Sequence, residues 1–329
     1  MHMEASMIVD LKDVLAMEVP KAALKYIAQT NELKPGGTSI EHYADVLVHS
    51  PKTIDIAKVL ARQYRYAGRT AVNLFIPTSG ISRDWNNPKY FKAEMEKKYG
   101  PDIFTDGVKP QLTEEPKLIR IHEDGSRYIL TFSYLGKPRR VLDNYEIVKR
   151  RPQLIDFVLI HFEPFMIEIR TPMQDTKKFK SAVLKAMGIT KSTFEEEVTW
   201  EQITKLTDKE ALELAIILRA KLRNAKHQML EGIYATKEVT ASPTVKDLSK
   251  EEEYLKEFKD IPCKKRVFNF LFEHSYGLKE DISYQITDQG LNFITPVSEE
   301  VISFVLDKII QIRKKAWGSG SENFPKTGT

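Results

Sequence analysis

The chain has 329 residues, of which 42% are hydrophobic and 29% charged, and its formal net charge is +4 from 50 basic and 46 acidic residues. This length and composition predict a globular chain of two or three domains and exclude a disordered one. The single cysteine, Cys263, excludes an internal disulfide framework and a cysteine zinc cluster, and fits a reducing compartment. Since the first ten residues, MHMEASMIVD, lack the pattern of a signal peptide, and no apolar run has the length of a membrane span, we expect a cytoplasmic protein without a membrane partner.

Residues 1–100 predict a helical domain. Proline or a capping residue stands at the start of most apolar-periodic segments, as at Pro20, Ser39, Ser50-Pro51 and Asn87-Pro88. The stretch 101–116 is polar and contains prolines, which predicts a linker.

One segment of this helical region carries a more specific pattern. Ala44 is followed three positions later by Leu47, and a turn then leads to Ser-Pro-x-Thr at Ser50–Thr53 and to an apolar anchor at Ile54. Over residues 39–66 this resembles the core of helix-turn-helix DNA-binding proteins, although Val48 stands where that family usually has a turn glycine.

The resemblance implies that the second helix of the segment lies in the major groove of DNA. It implies contacts from a set of polar residues at the start and along one side of that helix: Lys52, Thr53, Asp55, Lys58 and Arg62. The alternative is two ordinary bundle helices joined by a capped turn.

Residues 117–190 predict an antiparallel β-rich domain. Period-two alternation around turn residues indicates a series of paired strands: Lys117–His122 with Arg127–Tyr134, Arg139–Leu142 with Tyr145–Val148, and Leu154–Phe162 with Phe165–Arg170. After Pro172 the apolar residues Phe179, Val183 and Met187 lie four apart, which predicts a helix that ends near Gly188. We expect this helix to cover one face of the sheet and the other face to be polar.

Positive charge is concentrated in the same region. Between Lys117 and Pro152 there are nine basic and four acidic residues, a net charge of +5 that exceeds the net charge of the whole chain. The densest cluster consists of Arg139, Arg140, Lys149, Arg150 and Arg151, close in sequence to Tyr134 and Tyr145. Such a cluster favours phosphate contacts with aromatic contacts to bases, so the predicted partner is nucleic acid, with duplex DNA favoured. The alternative is a solvated, cation-protected sheet edge.

Residues 191–317 predict a helical domain with a β-hairpin at 282–294. Helices are expected over 208–231, 251–276 and 298–317, and Thr287–Gly290 is the hairpin turn. The order helix, hairpin, helix is similar to the wing region of winged-helix domains. Residues 318–329 predict a disordered tail. The fold class expected for the whole chain is therefore α+β.

Catalytic motifs are few. The sequence has no phosphate-binding glycine loop, no HExxH and no Gly-x-Ser-x-Gly. Asp156 on one predicted strand, with Glu168 and Arg170 on the next, resembles the core of PD-(D/E)xK nucleases, which implies two carboxylates on a Mg²⁺ ion and Arg170 in the place of the lysine. The alternative is an amphipathic strand whose polar face pairs Glu168 with Arg170 or with solvent.

These observations favour a DNA-binding protein without catalysis or cofactor, which binds mainly through phosphates. Two alternatives stay open: a Mg²⁺-dependent nuclease at Asp156 and Glu168, and a structural or adaptor protein whose apolar helices contact a protein partner or a second copy. In overall composition the chain resembles uncharacterised proteins of archaeal plasmids and integrated elements.

Overall fold

The structure, a computed structural model, describes residues 10–67, 71–162, 164–189 and 198–318. The described chain forms two compact units. The inserted unit lies within Ala71–Ile203, and the split unit combines the residues before and after it, within Met7–Thr70 and Thr204–Thr329. The predicted tail lies, apart from Gly318, outside the described residues.

The structure confirms an α+β fold with antiparallel sheets. The described α-helices are, in chain order, α1 (Leu11–Glu18), α2 (Lys21–Thr30), α3 (Ile40–His49), α4 (Ile54–Arg65), α5 (Pro88–Tyr99), α6 (Thr176–Ala186), α7 (Asp208–Leu218), α8 (Glu252–Glu257) and α9 (Glu299–Gly318).

Strands occur in both units. They are β1 (Ala71–Pro77), β2 (Lys117–Asp124), β3 (Arg127–Leu135), β4 (Arg139–Asp143), β5 (Glu146–Arg150), β6 (Gln153–His161), β7 (Met166–Ile169), β8 (Trp200–Gln202), β9 (Lys221–Gln228), β10 (Thr236–Thr240), β11 (Cys263–Glu273), β12 (Lys279–Thr287) and β13 (Gly290–Phe293).

In the inserted unit, one antiparallel sheet runs in the order β2-β3-β6-β7-β1, and β8 pairs with β1. The alternation seen in the sequence of β3 places Leu130 and Phe132 on one face, where Phe132 meets Phe179 of α6 edge-to-face at 5.9 Å between ring centroids. Helix α6 thus covers one face of the sheet, as the sequence predicts.

The sequence predicts a polar second face for this sheet, but that face is mixed, since Ile129 and Leu159 share it with polar residues, and its central residues are buried rather than solvated. Thr131, Ser133 and Glu168 are at most 7% exposed. Buried polar groups need partners, and Ser133 donates a hydrogen bond to the carbonyl oxygen of Leu154 at 3.2 Å. The sequence pattern shows which side chains share this face but not that it is inaccessible to water.

The split unit contains α1–α4 with the antiparallel sheet β10-β9-β11-β12-β13 and the helices α7–α9. Its two halves are joined by contacts between residues far apart in sequence. The hydroxyl groups of Tyr64 and Tyr276 lie 3.5 Å apart, and the side chain of Gln63 accepts a hydrogen bond from the backbone N–H of Glu300 at 3.0 Å. Burial of Tyr64 raises the pKa of its hydroxyl to about 12, so it remains a neutral hydrogen-bonding group.

The helices predicted over 208–231 and 251–276 are wrong, because most of each range is not helical. Helix α7 ends at Leu218, because Arg219 adopts a left-handed backbone conformation, and the chain continues as β9. Only Glu252–Glu257 of the second is helical, and Cys263–Glu273 forms β11, which pairs with both β9 and β12. The predicted hairpin 282–294 and the last helix are confirmed as β12–β13 and α9.

The observed division of the chain also differs from the predicted domains. The helices of the predicted 1–100 domain belong to the split unit only as far as α4, whereas β1 and α5 pack in the core of the inserted unit. The predicted linker 101–116 contributes to that core as well, because Ile103 is fully buried in it.

Candidate nucleic-acid interface

The basic cluster predicted from the sequence lies on a β-ribbon, residues 137–151, formed by β4 and β5. These strands pair with each other in a two-stranded sheet of their own. The ribbon extends from the end of the β3–β6 pair, where Leu135 lies opposite Gln153 and the backbone N–H of Gly136 donates to the carbonyl oxygen of Pro152 at 2.8 Å. Pro138 precedes β4 and Pro152 follows β5, and both interrupt the ladder, since proline has no N–H to donate.

The tip of the ribbon is a two-residue turn at Asn144-Tyr145. Both residues have positive φ, 48° and 67°, as in the type I′ turn that suits the twist of a hairpin. Asparagine tolerates this conformation well, but a left-handed backbone costs a residue such as tyrosine about 1 kcal/mol or more. Tyr145 is nevertheless 98% exposed, so its side chain contributes no burial that offsets this strain.

We therefore expect Tyr145→Gly to stabilise the ribbon rather than loosen it. Glycine removes the steric cost at positive φ, and the tyrosine side chain that is removed is almost fully solvated. The free energy of unfolding in urea should rise by a few tenths of a kcal/mol to about 1 kcal/mol. Asn144→Gly is the control with less strain to relieve, and a fall in stability for Tyr145→Gly would show that the tyrosine ring packs on the protein.

The two faces of the ribbon differ in chemistry. Directly opposite residues share a face, and so do residues two apart on one strand. The register places Arg140, Leu142, Ile147 and Lys149 together, which we call face A. The other side, face B, consists of Arg139, Val141, Asp143, Glu146, Val148 and Arg150.

Face A has cations and exposed aliphatic groups but no acid. Leu142 is 70% and Ile147 72% exposed, and these two residues lie opposite each other. They are two residues nearer the tip than the pair Arg140 and Lys149. On face B, Arg150 forms an ion pair with Asp143. Like charges placed directly opposite each other destabilise a hairpin, and the ribbon has two such pairs, Arg139 with Arg150 and Arg140 with Lys149.

The ribbon also accounts for the net charge of the protein. It contains six of the 50 basic and two of the 46 acidic residues of the chain, so the remaining 44 of each sign cancel. Apart from the half-buried Asp143 and Val148, every residue of the ribbon is exposed. Of the five predicted basic contacts, Arg151 lies 2.6 Å from the carboxylate of Glu114, in an exposed pair of a kind worth at most about 1 kcal/mol.

Of the two aromatic residues that the sequence places near this cluster, only Tyr145 is accessible. Tyr134 is 7% exposed, faces α6 and donates a hydrogen bond from its hydroxyl to Asp156 at 2.6 Å. The exposed aliphatic pair of face A is the feature that sequence reasoning missed. The sequence could have indicated this exposure, because Leu142 and Ile147 alternate with cations in strands that are too short to bury a face.

The helix-turn-helix-like segment folds as two helices, but its turn differs from that of the family it resembles. Ser39 caps α3, as predicted. Val48, at the position of the family's turn glycine, lies within α3, and the link to α4 contains no residue with positive φ. The predicted start of the second helix at Ser50-Pro51 is three residues early, because Ser50–Thr53 forms a turn before α4 begins at Ile54.

Four of the five contacts implied by that resemblance are accessible. Lys52, Asp55, Lys58 and Arg62 are exposed, and Asp55 pairs with Lys58 at 3.0 Å. Thr53 is fully buried, and its hydroxyl donates to the carbonyl oxygen of Leu47 at 2.9 Å. Thr53 therefore fixes the turn, and its side chain is not accessible to a ligand.

The carboxylates of the nuclease alternative are not brought together. Leu159 of β6 lies opposite Glu168 of β7, and Val158 lies opposite Ile169. Because side chains alternate along a strand, Glu168 shares the face of Leu159 and His161, whereas Asp156 lies on the face covered by α6. The two groups are on opposite sides of the sheet and cannot hold one metal ion.

Each of these carboxylates has its own partner instead. Arg170 donates to Glu168 at 2.8 Å, and His161 lies 2.9 Å from the other oxygen of the same carboxylate. Burial by itself would raise the pKa of Glu168, but the Arg170 charge and the His161 contact outweigh it and lower that pKa to about 2. Burial raises the pKa of Asp156, although Tyr134 donates a hydrogen bond to it.

Two further findings bear on metal and thiol chemistry in the parts of the chain that the structure describes. No group of three or more His, Cys, Asp or Glu side chains there could hold a metal ion. Burial raises the pKa of the Cys263 thiol, which disfavours the thiolate. No helix within the described ranges is both long and apolar enough to cross a bilayer.

Comparison with protein-family models and with curated sequences finds no relative. No family model matches the chain, and no curated protein matches its sequence. The residues and their geometry are therefore the basis for any functional assignment.

Proposed function

We propose that this protein binds duplex DNA without catalysis, chiefly through phosphate contacts made by the ribbon. The observation that carries the proposal is the ribbon itself, an exposed two-stranded arm that holds all of the chain's excess positive charge. Lysine and arginine contacts to phosphates provide most of the affinity of non-specific DNA binding. A polyanion would also relieve the repulsion between the like charges that the register places opposite each other.

The exposed side of α4 supplies a second set of contacts in this proposal. Lys58 and Arg62 on this side of α4, with Lys52 in the turn before it, outnumber Asp55, so the net charge there is positive. The pair between Asp55 and Lys58 is exposed and weak, and a phosphate can replace the carboxylate as the partner of the lysine. This contribution is smaller than that of the ribbon, which has more cations.

The test is fluorescence anisotropy with labelled duplex DNA over 50–200 mM salt. Neutralising the ribbon as Arg139→Gln, Arg140→Gln, Lys149→Gln, Arg150→Gln and Arg151→Gln should weaken binding at low salt about a hundredfold or more. The slope of log affinity against log salt concentration should also become less steep, by about one for each phosphate that the protein no longer neutralises. Lys52→Gln with Lys58→Gln and Arg62→Gln should have a smaller effect of the same kind.

The matched control removes the same charge from other exposed positions. These are Lys21, Lys25, Lys34, Lys256 and Lys259, each changed to Gln. If the control weakens binding as much as the ribbon variant does, only net charge matters and the ribbon is not the site. If wild type does not bind at 50 mM salt, the DNA-binding proposal is wrong and an adaptor role becomes the better account. Added Mg²⁺ with a cleavage assay tests the nuclease alternative in the same samples.

A further inference from the structure

The exposed aliphatic pair on face A has no function in a purely electrostatic contact. Leu142 and Ile147 lie opposite each other near the tip, with Tyr145 beside them, and all three are at least 70% exposed. Scattered exposed hydrophobic residues are common, but these three share one end of an arm whose base is cationic. The position of the pair relative to the cations indicates what it contacts.

Arg140 and Lys149 lie two residues further from the tip than the aliphatic pair, a separation of about 7 Å along the strands. Cations at that distance can contact phosphates while the tip contacts the bases in the groove between them. The strand axes of the ribbon are about 5 Å apart, so the ribbon with its side chains is wider than the minor groove of B-DNA, which is about 6 Å wide. Entry of the tip therefore requires a wider minor groove, which a kink of the duplex toward the major groove produces. The acids Asp143 and Glu146 lie on face B, so face A can approach the phosphates without an acidic side chain of its own.

The chemistry of the tip selects the kind of base contact. Leu142 and Ile147 carry no hydrogen-bonding group, so they cannot read the donor and acceptor pattern of base edges. Apolar side chains that enter the minor groove act instead as wedges, which unstack neighbouring base pairs and bend the duplex. The aliphatic groups are removed from water on insertion, which favours it.

We infer that face A is the surface that enters the minor groove of duplex DNA, that Leu142 and Ile147 wedge between base pairs, and that the bound DNA is bent. This inference rests on the proposed function and adds the mode of DNA binding. The cations provide affinity that does not depend on the base sequence, and the wedge deforms the duplex. Sites that contain flexible pyrimidine–purine steps should be bound more tightly, because they are easier to kink.

The experiment measures energy transfer between dyes on the two ends of a duplex of about 30 base pairs, with anisotropy on the same samples. Wild type should raise the transfer efficiency on binding, because bending shortens the end-to-end distance. Leu142→Thr with Ile147→Thr should bind about tenfold more weakly for each side chain that the wedge uses. The slope of affinity against salt should not change in this variant, and the rise in transfer should be abolished.

The matched control is Val141→Thr with Val148→Thr, which makes the same kind of change on face B of the same strands. This variant should bind and bend DNA as wild type does, and circular dichroism and urea unfolding check that both variants fold. Binding by wild type without a rise in transfer overturns the wedge and leaves the proposed function intact. Equal loss of bending in both variants overturns the assignment to face A, and absence of binding by wild type overturns the proposed function itself.

Discussion

Replacing Gly136–Pro152 by Asn-Gly is expected to leave the protein folded and to lower its affinity for duplex DNA at 50 mM salt by at least a hundredfold. Leu135 and Gln153 lie directly opposite each other at the ends of β3 and β6, so a two-residue turn can join them. The deleted ribbon is almost entirely exposed and contributes nothing to the buried core of the inserted unit. The ion pair between Arg151 and Glu114 that the deletion removes is of the exposed kind, worth about 0–1 kcal/mol.

The control for this deletion is a second hairpin loop. Gln228 and Thr236 lie opposite each other at the ends of β9 and β10, and the loop between them exposes Leu230, Ile233 and Tyr234. Replacing Met229–Ala235 by Asn-Gly removes a similar apolar tip without basic residues, and DNA affinity should not change. Urea unfolding should place both deletions within about 1 kcal/mol of wild type. A ribbon deletion that still binds DNA as tightly as wild type would refute the ribbon as the site.

Glu168→Gln is expected to cost about 3–5 kcal/mol of stability. The carboxylate is fully buried and compensates the charge of Arg170, and removal of one partner of a buried ion pair leaves the other charge uncompensated. Asp156→Asn makes the same chemical change on the other face of the sheet, where Tyr134 can still donate to the new amide oxygen, and should cost about 1 kcal/mol or less. Urea denaturation at pH 7 compares the two, and a loss below 1 kcal/mol for Glu168→Gln would show that the pair is not needed.

The same carboxylate makes wild-type stability depend on acid pH. Because folding lowers the pKa of Glu168 from 4.5 to about 2, its stabilisation is complete above about pH 4.5 and is lost as the pH falls towards 2. The wild type should lose about 3 kcal/mol more than Glu168→Gln across this window. Unfolding curves measured between pH 5 and 2 give the free energy of unfolding of each protein as a function of pH. Equal slopes for wild type and Glu168→Gln would contradict a lowered pKa of Glu168.

The sequence predicted the elements correctly where its apolar residues recur at the spacing of a strand or of a helix and clear turn residues lie on both sides. Strands β2, β3, β6 and β7, and helices α6 and α9, are of this kind. Strand β9, Lys221–Gln228, has only Leu222, Ala225 and His227 buried and no β-branched residue, so its sequence is not typical of a strand. It is extended because β10 and β11 pair with it, and such pairing is set by residues elsewhere in the chain.

The candidate site was predictable as a charge cluster but not as a surface. The five cations are close together in the sequence, so their concentration is visible there. Which residues are accessible depends on packing, and packing buries Tyr134 and Thr53 but exposes Leu142, Tyr145 and Ile147. The opposite placement of Asp156 and Glu168 likewise follows from the register of β6 with β7, which two apolar-rich strands do not specify by their sequences alone.

The division of the split unit imposes an order on events during translation. Helices α1–α4 leave the ribosome long before their partners in β9–β13 and α9, since the inserted unit, within Ala71–Ile203, separates the two halves by about 130 residues, or roughly 7–27 s of synthesis. The inserted unit is continuous in sequence and can complete its core in that interval. Helices α1–α4 share a hydrophobic core of their own, so the apolar groups that stay exposed in that interval are those that contact the second half, such as Tyr26 and Tyr64, which both meet Tyr276.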